Sequence, residues 1–120
     1  MTTANNVRWG RALAGGLLAE VALFAITVPV LLLLGDRPLL YLVPPGAFVT
    51  SFFAAVWVGS KIQSRFVLHG LLVGIVATVV YLLVAWGQPE PVAYIIAHGL
   101  KIVGGMAGGV AAERRSKRRQ

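Results

Sequence analysis

The chain has 120 residues, of which 58% are hydrophobic and only 12% charged, with no cysteine and a formal net charge of +7. A soluble domain carries roughly 25% charge, so the composition excludes an ordinary water-soluble protein. The lack of cysteine excludes disulfides, thiolate metal sites and a cysteine nucleophile. Five of the eleven basic residues fall between Arg114 and Arg119, and most of the others flank apolar runs. That is how a membrane protein marks its cytoplasmic edges, so the positive charge predicts no nucleic-acid partner.

Met1 to Asn6 are polar, and Arg8, Trp9 and Arg11 give the basic and aromatic flank at which a first span begins. Spanning takes about 20 apolar residues in a helix. Four runs meet that length: 12–34, 39–60, 66–86 and 91–112. The first is too long for the apolar core of a signal peptide. Pro29 predicts a kink in its outer half. Gly35-Asp36-Arg37-Pro38 makes a short turn, and Pro44-Pro45-Gly46 predicts that regular helix in the second run begins only near Pro45 or Gly46. Lys61, Gln63 and Arg65 form the next loop. Gly87 to Pro91 form the last turn, and residues 113–120 a basic tail. The expected fold is a single all-α integral membrane domain of four transmembrane helices. Arg8, Arg11, Lys61, Arg65 and the tail share one side, so both termini are expected in the cytoplasm, in a bacterial-type inner membrane.

The two halves resemble each other. Arg11, Gly16, Leu17 and Leu18 coincide with Arg65, Gly70, Leu71 and Leu72, and Tyr41, Gly46, Ala54 and Lys61 with Tyr94, Gly99, Ala107 and Arg114. This predicts a tandem repeat of two helical hairpins, parallel rather than inverted.

Glu20 is the only acid inside a span, and an ionisable group there is costly enough to be paired or functional. Helical spacing places Trp9, Leu13, Gly16, Leu17, Phe24 and Thr27 on its face. Lys101 is its natural partner. At 1.5 Å per residue, Glu20 lies about 13 Å from Arg11 and Lys101 about 20 Å from Arg114, an axial mismatch of about 6 Å. Side chains lean toward their helix N-terminus, which widens the gap, so the geometry allows a direct ion pair but expects the two groups to diverge. Water, Thr27 or His98 would then bridge them, or Lys101 would snorkel along its stem or be neutral. His98 and His69 belong to opposite ends of their spans, and each is expected to hydrogen-bond across helices. No spacing resembles a metal-ligand set, and no nucleotide loop, nucleophile elbow or protease motif is present. No metal, cofactor or enzymatic activity is expected.

Gly104/Gly108 and Gly105/Gly109 are overlapping GxxxG pairs, and Gly70/Gly74 repeats the device. With Gly16 they let helix backbones approach closely where lipid offers no hydrophobic drive. They serve either packing of spans three and four or an oligomer seam. Arg114, Arg115, Lys117, Arg118 and Arg119 are expected to attract anionic lipid head groups.

The stretch Lys61-Ile-Gln-Ser-Arg-Phe-Val-Leu-His-Gly-Leu-Leu-Val-Gly, a basic loop before a glycine-leucine span start, resembles small uncharacterised four-span bacterial membrane proteins. That resemblance implies the architecture and no activity. Gly15-Gly16-Leu17-Leu18-Ala19-Glu20-Val21 resembles the first-span signature of small multidrug resistance transporters. It implies that Glu20 binds a proton and a cationic drug alternately in a dimer. Lys101, the basic tail and the third span depart from that family's pattern. The sequence therefore predicts a non-enzymatic accessory or scaffold subunit, or a homo-oligomer, acting through helix association. The alternative is a proton-coupled small-molecule transporter using Glu20.

Overall fold

Four helices form: α1 (Trp9–Leu34), α2 (Leu39–Gly59), α3 (Phe66–Val84) and α4 (Val92–Arg118). The computed structural model describes residues 7–62, 64–88 and 90–118. Expectations placed on residues 1–6, Gln63, Pro89 and Arg119 lie outside the described residues. All four helices are long and apolar enough to cross a membrane.

Two boundaries differ from the sequence reading. Helix α2 starts at Leu39 and runs through Pro44 and Pro45. The carbonyls those prolines leave without a helical partner belong to Leu40 and Tyr41, both exposed near the helix start. Helix α4 does not stop at Ala112 but absorbs the basic tail through Arg118. Glu113 and Lys117 are spaced to support one another there, and cations suit the negative end of a helix. Helix α1 continues without a break through Pro29.

The chain reverses between α1 and α2 at Gly35 and between α3 and α4 at Gly87, with φ of 85° and 79°. This left-handed region is open to glycine at no steric cost. These two turns define one end of the bundle. The starts of α1 and α3 and the ends of α2 and α4 define the other, the terminal end.

Helix α4 lies in the furrow between α2 and α3, and α1 packs on the opposite side of the same pair. Among the described residues no Cα of α1 comes within 8 Å of one in α4, so these two helices form the long diagonal. A two-fold axis along the bundle relating the two hairpins would instead make α1 diagonal to α3. The likeness between the halves is not expressed as that symmetry.

Glycine explains the packing. A methyl group built on Gly105 would run into the carbonyl of Gly70, and one on Gly70 into the carbonyl of Gly105. Gly109 meets the backbone of Phe66 and Val67 in the same way, whereas Gly104 and Gly108 face the backbone of Phe48 and Phe52 on α2. The two glycine pairs therefore serve two different neighbours inside the chain. Side chains of this half form a core of Ala19, Ala54, Val58, Phe66, Val73 and Ala77. Toward the turn end a second core joins Leu23, Leu39, Val43, Ala47 and Ala97.

Candidate functional site

The face that α1 buries consists of Ala12, Gly15, Gly16, Ala19, Glu20, Leu23 and Thr27. Trp9, Leu13 and Leu17, expected beside Glu20, are exposed instead. In a bilayer leucine gains nothing by leaving lipid, so small residues take the helix contacts and large ones face outward.

Glu20 and Lys101 are both almost fully buried, at 1% and 2% exposure, and Lys101 Nζ lies 2.7 Å from Glu20 Oε1. The expected divergence is thus corrected, and the glycine contacts give its reason. A methyl on Gly74 would lie 2.6 Å from the Lys101 carbonyl oxygen, and one on Gly15 would lie 2.9 Å from the side chain of Val73, the neighbour of Gly74. The backbone of Lys101 is therefore level with Gly15 and Gly16, about one turn nearer the terminal end than Glu20. From that position the N-terminal lean of each side chain brings the two together. Arg114 was a poor axial reference because α4 runs on past it.

At 2.7 Å the Lys101 ammonium and the Glu20 carboxylate form a close ion pair. Oε2 is buried and has no hydrogen-bonding partner among the described residues. The pair is the only side-chain link across the α1–α4 diagonal among the described ion pairs and hydrogen bonds. Ser51 is also fully buried with an unpartnered hydroxyl. It sits on α2 between Ala47 and Ala54, which belong to the two cores of the bundle.

Beyond the Glu20–Lys101 pair the small residues give way to aromatic ones, and the helices stand apart. A cavity of about 310 Å³ opens between them. Glu20 and Lys101 contribute to its lining with Thr27, Phe24, Tyr81, Tyr94 and His98. Tyr81 is the hub. Its ring stacks on Phe24 at 6.3 Å between centroids, meets the Tyr94 ring edge-on at 6.1 Å and lies 4.9 Å from the His98 ring. The Lys101 ammonium sits 4.9 Å above the same ring, within reach of its negative face. Lys101 thus already occupies a cation site built from a carboxylate and an aromatic face.

His98 pairs with Glu90, eight residues before it in the chain. The bond expected across helices is local, because Glu90 precedes α4 at the turn end and folds back beside the first turns of that helix. His69 does bond across the bundle. Its Nε2 accepts from the backbone N–H of Arg8 at 2.9 Å, and its Nδ1–H donates to the carbonyl of Arg65 at 2.8 Å. These bonds fix the neutral tautomer and fasten the start of α1 to α3, away from the cavity. Arg65 lies in the left-handed region at φ 54°, which turns the chain into α3.

The structure therefore brings together Glu20, Lys101, His98 and Thr27, and leaves the glycines at the helix seams. Arg114, Arg115, Lys117 and Arg118 are exposed at the terminal end. Among the described residues no three His, Asp or Glu side chains gather as metal ligands. Sequence reasoning placed Phe24 on the Glu20 face but did not assign Tyr81 or Glu90 to the site. Tyr81 carried a signal, since it extends the Gly70, Gly74 and Ala77 line by one turn.

Comparison with protein-family models, curated proteins and solved structures finds no match.

Proposed function

We propose that this chain is a small carrier of the cytoplasmic membrane, with both termini in the cytoplasm, that binds an organic cation in the aromatic cavity in exchange for a proton. The observation carrying this reading is the buried Glu20 carboxylate beside the cavity, with one oxygen unpartnered and the face of Tyr81 close by. A carboxylate with an aromatic wall is the chemistry that recognises an ammonium with an apolar body.

The Lys101 ammonium stands where that ligand would stand. A second positive charge in so apolar a place is costly. Entry of a cation therefore requires Lys101 to give up a proton, so that the cavity holds one carboxylate and one cation before and after. This differs from the scheme that the transporter resemblance implies, in which the carboxyl group itself exchanges the proton. The accessory or scaffold reading draws less support, because the glycine pairs that would form its seam face α2 and α3 of the same chain.

The test is binding of benzyltrimethylammonium to the protein in lipid nanodiscs by calorimetry. Glu20→Gln should lose at least 100-fold in affinity. Tyr81→Leu should lose about 10-fold and Tyr81→Phe little, as expected for a cation held by a ring face at about 1–2 kcal/mol. Equal affinity in wild type and Glu20→Gln would sink the proposal.

A further inference from the structure

We propose that the groove between α2 and α4 at the terminal end holds one anionic glycerophospholipid, with an acyl chain along the groove and its phosphate on Arg115. This site is separate from the aromatic cavity and does not rest on the function proposed for it.

The groove has a volume of about 530 Å³. Phe52, Phe53 and Val56 form one wall and Ala107, Val110 and Ala111 the other. It exists because small α4 residues face an edge-to-face ring pair on α2, Phe52 and Phe53, with centroids 5.4 Å apart. At its basic end stand Arg114, Arg115 and Arg118. A second hollow of about 230 Å³ adjoins it, sharing Val56 and Arg115 and adding Ser60 and Ser116.

Charge and the order of the lining select the occupant. The apolar lining of α4, Ala107 to Ala111, rises about 6 Å before the arginines begin, so it seats the head-group end of one acyl chain, with the guanidiniums directly beyond it on the side where phosphates lie. The ends of α2 and α4 turn their negative poles toward this spot and oppose an anion. Three guanidiniums outweigh that opposition, since arginine binds phosphate through paired, charge-assisted bonds. The Ser60 hydroxyl is already spent on the Trp57 carbonyl at 2.6 Å, which leaves Arg115 as the donor common to both hollows. A second copy of the chain is a poor occupant, because it would bring basic ends together at a net charge of +7 each.

The test is native mass spectrometry of the full chain, delipidated and then offered dioleoylphosphatidylglycerol or dioleoylphosphatidylcholine. These share acyl chains and differ in head-group charge. The expected result is one phosphatidylglycerol retained per chain with at least tenfold preference. Arg115→Gln and Val110→Trp, which fills the groove from an exposed position, should each reduce retention about tenfold. Arg11→Gln, a basic residue at the same end but outside the groove, should change it less than twofold, and millimolar inorganic phosphate should not displace the lipid. Equal retention of the two lipids, full retention in Val110→Trp, an equal loss in Arg11→Gln or displacement by phosphate would each overturn the proposal.

Discussion

Lys101 of α4 reaches Glu20 of α1 across the long diagonal of the bundle, at 2.7 Å between Nζ and Oε1. The backbones of these helices do not approach one another. What joins them here is a pair of opposite charges, each of which would be costly alone in an apolar interior.

That relationship predicts an asymmetric mutant cycle. Removing one partner leaves an uncompensated buried charge, at about 3–5 kcal/mol. Lys101→Met should therefore lower the thermal midpoint in detergent sharply, whereas Glu20→Leu with Lys101→Met together should restore most of it. A double variant no more stable than Lys101→Met would show that the two side chains are not coupled.

The glycine seams predict a sharp positional contrast. Gly70→Ala and Gly105→Ala each place a methyl group into backbone of the opposing helix, whereas Gly99→Ala meets nothing within 4 Å. Backbone cannot give way as a side chain can, so the first two should cost about 3 kcal/mol or fail to fold, at or beyond the upper range for overpacking. Gly99→Ala should be neutral or slightly stabilising through helix propensity. Circular dichroism melts of the three variants check this.

His69 fastens the start of α1 by accepting the Arg8 N–H and donating to Arg65. His69→Leu leaves the Arg8 N–H unpaired, at up to roughly 1–3 kcal/mol, while the Arg65 carbonyl keeps the backbone N–H of residue 69. Hydrogen exchange should rise selectively over residues 8–12, with α4 unchanged. Uniform protection in the variant would mean that the clip contributes nothing.

Much of the architecture was legible in the sequence, because apolar runs separated by Gly35-Asp36 and Gly87-Gln88 carry strong length and turn signals. The start of α2 was not, since Pro44-Pro45 reads as a breaker unless one knows that the carbonyls it frees lie at an exposed end. The inward face of α1 was misread for a related reason. Leu13 and Leu17 look like core residues, but in lipid the contact face belongs to Gly15, Gly16 and Ala19. Glu20 and Lys101 stood out individually. Their pairing was suggested but a direct contact was not favoured, because it depends on the axial register of α4, which is set by Gly74 against Lys101 and Ile102. Tyr81 lay on the Gly70, Gly74 and Ala77 line in the sequence, but its place in the site followed only from the register that puts the ammonium above its ring.

The most direct measurement is the number of protons released when benzyltrimethylammonium binds to the nanodisc-embedded protein in weakly buffered solution. The account predicts one proton per cation bound, with release and binding both lost in Glu20→Gln. Lys101→Met should still bind, and more tightly, because its built-in competitor is gone. Cation binding without proton release, or binding that persists unchanged in Glu20→Gln, would contradict an exchange site built on Glu20 and Lys101.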